Sequence, residues 1–432
     1  LDTPFVQKST ERVLHLLENR FMKLIYNISV FFYYLAINLA SLFSAKAKLW
    51  INGRKHIFSK IELALHSNSS PLIWFHCASL GEFEQGRPLI EKIKKEYPSH
   101  KIALTFFSPS GYEIRKNYSG ADYIFYLPID TTTNAKKLVS LLNPQLAFFV
   151  KYEFWFNYLN ELKSRAIPTY LVSGIFREKQ HFFKPYGNWF RKQLSCFTHF
   201  FLQDKTSEQL LNSIGYTNTT ITGDTRFDRV YEISKNITSY PLLELFCNNS
   251  QLFIIGSSWP DDEQLIAQAS KALTTYKLII APHEIDEKHI QTIEEKFRVY
   301  GNCVRYTKAT DASIIKANVL IIDNMGMLSS LYQYGTIAYV GGGFWKGIHN
   351  ILEAATFGLP IIFGPNYHKF LEAKELISQK GAFAINGLAD LETTVSFLNI
   401  KSNYESASSS SKKYIQSNIG ATNKILSSIT IK

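Results

Sequence analysis

The chain has 432 residues, 46% of them apolar and 19% charged, which is enough for two packed domains and too apolar for a disordered polymer. Its 47 Lys and Arg against 36 Asp and Glu give a net charge of +11, which suits nucleic acid, an anionic membrane or an anionic small substrate without choosing among them. The four cysteines, Cys77, Cys196, Cys247 and Cys303, are far apart, with no CxxC pair and no metal-ligand spacing, and read as scattered thiols of a cytosolic protein.

Residues 24–45, LIYNISVFFYYLAINLASLFSA, form 22 uncharged residues bracketed by Lys23 and Lys46. That length can span a bilayer. Asn27, Asn38 and three serines weaken the stretch and the tyrosines favour an interface, so an in-plane helix at a membrane surface and a soluble core helix stay open beside it. A signal peptide does not fit, because the apolar part is long and no small-residue cleavage site follows. Lys46, Lys48, Arg54, Lys55 and Lys60 come next and would hold anionic headgroups on the cytoplasmic side. Lys8, Arg12 and Arg20 blur that charge bias, and Met22 is a candidate start that would restore it. The expected organisation is an upstream extension over 1–21, an anchor helix over 22–46, a first domain over 47–222, a boundary region over 223–249 and a second domain over 250–432 with a terminal helix.

From residue 72 onward, short apolar runs alternate with helical patterns, the signature of parallel sheets covered by helices on both faces. Strands are predicted at 72–78, 101–107, 122–127, 145–151, 168–172 and 196–202. In the second half they are predicted at 251–256, 277–281, 302–306, 318–322, 336–341 and 359–363. Helices are predicted at 86–96 and 154–164, then at 261–273, 284–296, 325–333 and 350–357. Two such domains facing a cleft would bind ligands beyond the carboxyl ends of their strands.

The candidate residues therefore sit just after strands. Ser79-Leu80-Gly81-Glu82 follows the first strand, and Glu82 is the best candidate for a general base that deprotonates an acceptor hydroxyl. A capping carboxylate at a helix start is the plainer alternative. Glu153 follows the strand 145–151, as a second carboxylate of the same pocket or as a cap or partner for Lys151 or Arg177. Ser108 and Ser110, in Ser108-Pro109-Ser110-Gly111, form a small anion-holding turn. Arg226 could clamp a phosphate or carboxylate, or join an inter-domain network with Asp224. In the second half, Ser257 and Ser258 offer hydroxyls, and His283 a phosphate or base-edge contact. Gly341, Gly342 and Gly343 before Phe344 permit close backbone approach to a ligand. Asn350 and Glu353 share one helix face, with Glu353 placed to accept from ribose hydroxyls.

Taken in order, Trp74 to Glu82, Glu153-Phe154-Trp155, Gly223 to Asp228, Gly256-Ser257-Ser258-Trp259, Gly341 to Phe344 and His349 to Ala354 resemble the 3-deoxy-D-manno-octulosonic acid (Kdo) transferases of Gram-negative lipopolysaccharide synthesis. The resemblance covers roughly residues 22–425. It implies a GT-B fold of two Rossmann-like domains with an N-terminal membrane-anchoring helix at the cytoplasmic face of the inner membrane. It implies an inverting transfer from CMP-Kdo to the tetraacylated disaccharide precursor of lipid A, with no metal and no cofactor. By the same resemblance Glu82 is the base and Glu153 the second essential carboxylate, with Ser79, Gly81, Ser108 and Ser110 on the acceptor side. Arg226, Ser257, Ser258, His283, Gly326, Gly341, Gly342, Gly343, Phe344, Asn350 and Glu353 fall on the donor side.

The chain departs from the family pattern at three places: His283-Glu284 where an Arg-His is usual, Gly326-Met327-Leu328 where Gly-Glu-Leu is usual, and Gly343 where a serine is usual. The alternative is another GT-B transferase carrying a different nucleotide sugar to a membrane lipid. A nucleic-acid-binding protein is disfavoured by the dispersed lysines, and a non-catalytic membrane scaffold by the two strand-end carboxylates.

Overall fold

The computed structural model describes the backbone of residues 4–431 and the side chains of residues 20–431. Lys8 and Arg12 lie outside the described side chains. The chain divides into two compact units, 1–226 with 420–432 and 227–419.

The first unit opens with helix α1, Pro4–Ala40, followed by α2, Ala45–Arg54, and α3, Ile57–Leu65. The upstream extension and the apolar segment share one helix. Its portion Arg20–Ala40 is long and apolar enough to cross a membrane by length and composition. The unit's sheet has seven strands: β1 Leu72–Cys77, β2 Lys101–Phe106, β3 Tyr123–Tyr126, β4 Leu146–Val150, β5 Thr169–Gly174, β6 His199–Leu202 and β7 Thr219–Ile221. All pair in parallel, in the order β3-β2-β1-β4-β5-β6-β7. Their apolar runs are buried on both faces, as a parallel sheet covered by helices requires: all six residues of β1 are buried.

The second unit repeats the plan with β8 Gln251–Ser258, β9 Tyr276–Pro282, β10 Cys303–Arg305, β11 Val319–Ile321, β12 Ile337–Val340, β13 Ile361–Phe363 and β14 Ala382–Ala384. They form a parallel sheet in the order β10-β11-β9-β8-β12-β13-β14. Short apolar cores such as LFII and LIIA supply its two buried faces.

In each sheet two neighbouring strands send their connections to opposite sides: β1 and β4 in the first, β8 and β12 in the second. Loops leaving the two strands at such a point part to opposite faces and leave a crevice at the carboxyl edge.

The structure adjusts several expectations. Helix α4, Leu80–Glu96, starts six residues before the predicted 86, because Ser79 serves as its N-cap residue and the turn Leu80–Gln85 is already helical. Strands β7 and β14 were not predicted. The terminal helix Ala421–Ser427 packs against α4 in the first unit, so that unit is built from both ends of the chain. Residues 223–249 contain two helices, Arg226–Lys235 and Pro241–Cys247.

Candidate active site

At the first crossover point, β1 delivers Ala78 and Ser79, and α4 begins at once. Glu82 stands in its first turn, half-buried, and accepts a hydrogen bond from the Ser79 hydroxyl. The position stabilises a carboxylate through the helix N-terminus and leaves it reachable from outside. Gly86, one turn further, lets α4 sit down on the sheet: a Cβ there would stand 3.1 Å from Val150 and 3.2 Å from the Cys77 sulfur. Burial, and then the negative charges of Glu82, Glu153 and Glu84, push the Cys77 thiol well above its ordinary range.

β4 delivers the second carboxylate. Lys151 leaves the strand in the left-handed region, φ 70°, a conformation costing about 1 kcal/mol or more for a residue with a side chain. Glu153 is 8% exposed and its Oε2 accepts from Trp155 Nε1 at 2.5 Å. His76 Nε2 lies 3.3 Å from the same oxygen, and His76 Nδ1 lies 2.9 Å from the Thr105 hydroxyl. Arg177 donates to the Tyr152 hydroxyl at 3.3 Å. Glu82 and Glu153 thus flank one crossover point, as their strand-end positions suggest. The sequence reading passed over His76 and Trp155, although both lie inside the motifs it quotes. A histidine inside a wholly apolar strand was the signal available.

Ser108 caps the helix Pro109–Arg115, its hydroxyl accepting from Ser110 N–H at 3.3 Å, and the two hydroxyls lie 2.9 Å apart. Gly81 is exposed on α4. Arg226 closes a fork on Asp224, with Nε and Nη2 at 2.8 and 2.7 Å from Oδ2 and its backbone N–H at 2.9 Å from Oδ1. That pair lies within the first unit.

The second crossover point is made differently. Ser257 leaves β8 in the left-handed region, φ 52°. Ser258 is fully buried and donates to Glu263 at 2.9 Å, so its hydroxyl braces the loop. Asp262, which the sequence reading left aside, accepts from Gly342 N–H at 2.9 Å, Trp259 N–H at 3.0 Å and the Tyr339 hydroxyl at 2.6 Å. Burial nevertheless leaves its carboxyl above the usual range. The glycines answer first to the protein itself. A Cβ on Gly341 would fall 2.4 Å from the Ser257 carbonyl oxygen, and one on Gly343 2.5 Å from Gly364 N. Gly342 has φ 90°.

Around this loop stand stacked rings: Trp259 on His283 at 4.7 Å and His283 on His349 at 4.5 Å, with Trp259 Nε1 donating to His349 Nε2 at 3.1 Å. Burial, helped by His283, pushes His349 down to about 4, which keeps it a neutral acceptor. Asn350 donates to Glu353 at 2.9 Å, and Leu352 N–H returns a bond to Asn350 Oδ1 at 3.2 Å. Phe344 packs against the core beneath, whereas Gly326 is exposed with open space around it. Among the described residues no three His, Cys, Asp or Glu side chains gather as a metal site.

A solved UDP-GlcNAc 2-epimerase from Neisseria meningitidis bound to UDP-GlcNAc matches this fold with a TM-score of 0.57 at 15% identity, over 83% of this chain and 98% of that one. A glycosyltransferase from Rickettsia africae matches at 0.53 and 11%, over 83% and 98%. The two parallel sheets flanked by helices are those of a GT-B-like fold. The model of the family described as 3-deoxy-D-manno-octulosonic-acid transferase matches residues 54–229. A 3-deoxy-D-manno-octulosonic acid transferase from Aquifex aeolicus is 28% identical over 352 residues, covering 80% of this chain and 90% of that one. These matches support assignment to the Kdo transferase family, and the protein is a glycosyltransferase.

Proposed function

We propose that the protein transfers Kdo from CMP-Kdo to the tetraacylated disaccharide precursor of lipid A, with inversion, at the cytoplasmic face of the inner membrane. The observation that carries this reading is the pair Glu82 and Glu153 at the two strands flanking the first crossover point. Glu82 removes the proton of the acceptor hydroxyl while that oxygen bonds to the anomeric carbon of Kdo. The bond from that carbon to the phosphate oxygen breaks, and CMP leaves with the electron pair. Glu153 orients the acceptor: both its protein bonds fall on Oε2, and Oε1 has none among the described residues. Ser79, Gly81, Ser108 and Ser110 line the acceptor side of the same edge.

On the donor side, Gly341, Gly342 and Gly343 place backbone groups near the leaving phosphate, as Ser257 does from the neighbouring strand. Asp262 and Ser258 hold that loop in place. His283, Phe344, Asn350, Glu353 and Gly326 frame the nucleotide, and Arg226 faces the Kdo carboxylate or the phosphate. The lipid acceptor and the anionic membrane surface account for the basic residues that follow the apolar helix.

Mass spectrometry of the lipid product tests the reading. Protein incubated with the precursor and a CMP-Kdo-generating system should yield a product heavier by one or more Kdo units. If a different nucleotide sugar gives a product and CMP-Kdo does not, the donor assignment fails and the glycosyltransferase class stands.

A further inference from the structure

Strand β1 lies between β2 and β4, with His76 in register with Thr105 on one side and with Phe149 on the other. Trp74 and His76 are two residues apart, so both project from one face of β1, and Thr105 projects from the same face of β2. All three side chains are fully buried, so their polar atoms must find partners within the protein. The His76 ring stands edge-on to Phe149 at 5.6 Å and to Trp155 at 6.3 Å, which holds its plane.

The Thr105 hydroxyl has a single proton to give and two lone pairs to accept with. Trp74 Nε1–H can only donate, and it takes one lone pair at 2.9 Å. The hydroxyl proton has two acceptors in reach, His76 Nδ1 at 2.9 Å and the Phe75 carbonyl at 3.3 Å. The far end of the ring decides between them. His76 Nε2 lies 3.3 Å from Glu153 Oε2, and an ionised carboxylate only accepts. With the ring proton on Nε2, Nδ1 receives the Thr105 proton at the shorter of its two distances, and every group is used. With the ring proton on Nδ1, lone pairs on Nε2 and Oε2 would face each other in a buried place. The series Trp74, Thr105, His76, Glu153 therefore runs in one direction, each donor fixing the next.

We propose that His76 is a positioning residue of the transfer: kept in its Nε2–H tautomer by Thr105, it holds Glu153 with Oε1 turned to the acceptor, on the reading above that Glu153 orients that acceptor. Trp155 Nε1 and His76 Nε2 both meet Oε2, and two donors on one oxygen fix the rotation of the carboxylate. His76 is fully buried and acts only through Glu153.

The test uses the full chain. Nitrogen NMR of isotope-labelled histidine, with His76 assigned from its loss in His76→Gln, should show a protonated Nε2 and a bare Nδ1. A proton on Nδ1 would overturn the inference, and this readout needs no substrate. In kinetics, His76→Asn reaches Thr105 but not Glu153. It should lower kcat/KM for the acceptor about 10- to 100-fold and leave the donor KM unchanged. His76→Gln sets an amide N–H where Nε2–H stood and should recover most of that loss. Thr105→Val leaves the ring in place and should fall in the same direction, with Thr105→Ser restoring it. In a Glu153→Gln background His76→Asn should add little, because the two act as one unit. Equal losses in the Asn and Gln variants, or a full second loss in the Glu153→Gln background, would overturn the inference and make His76 a packing residue. Full activity of Glu153→Gln would instead overturn the role of Glu153, and this inference with it. Absence of Kdo transfer by the wild type would end the donor assignment alone, and the same variants would be compared with the nucleotide sugar that does transfer.

Discussion

The two crossover points occupy equivalent places in two sheets of similar plan, yet they use carboxylates in opposite ways. In the first unit Glu82 has one side-chain partner, a serine hydroxyl three residues back, and stays half-exposed. In the second, Asp262 is 1% exposed and spends its oxygens on three protein donors. Among the described residues one carboxylate keeps most of its acceptor capacity free of protein donors, and the other is consumed in holding a glycine loop. An acidic residue after a strand therefore says little by itself; what decides its role is how many donors the surrounding protein brings to it.

The comparison can be broken in several places. Glu82→Gln should lower turnover about 10²- to 10⁴-fold, the range of a lost general base, with little change in the urea midpoint. Asp262→Ala should do the reverse in its primary effect. It leaves the Tyr339 hydroxyl and Gly342 N–H buried without an acceptor, and should cost about 3 kcal/mol in urea unfolding. Gly341→Ala pushes a methyl against the Ser257 carbonyl and should cost about 2 kcal/mol, readable as a lowered melting temperature.

The smallest effect is one of pH. His349 falls from 6.5 in the unfolded chain to about 4 in the fold, so between those values the unfolded state holds the extra proton. Stability should fall as pH drops from about 6.5 to about 4 and be level on either side of that window for this group. With partial exposure of the ring the loss should be roughly 1–2 kcal/mol. The difference between wild type and His349→Gln, measured across that window, isolates it.

Much of this plan was legible in the sequence, for a simple reason. Strands buried on both faces, such as LIWFHC and LAFFV, are runs of apolar residues, and the residue that ends each run is the one at the sheet edge. That rule makes Glu82 and Glu153 candidates just beyond strand ends, with a helix cap as the alternative for each, and the family resemblance supplies the roles proposed for them. What was not legible depends on partners distant in sequence. Asp262 sits in an acidic first turn that reads as an ordinary helix start, and only Gly342, 80 residues later, gives it its task. His76 reads as part of a strand until Glu153, 77 residues on, is seen beside it. Strands β7 and β14, TTI and AFA, lie at the sheet edges and lack the run of large apolar residues that marks equally short strands such as β11, VLI, and β13, IIF. The triple glycine reads in sequence as room for a ligand, and in the fold all three stand where a Cβ would meet backbone within 3 Å.

The most direct test of this division of labour is to measure turnover and urea midpoint side by side for Glu82→Gln. The account predicts turnover lower by at least about 10²-fold with the midpoint held near wild type. Near-normal turnover, or a midpoint that falls along with activity, would contradict it and make Glu82 a structural cap.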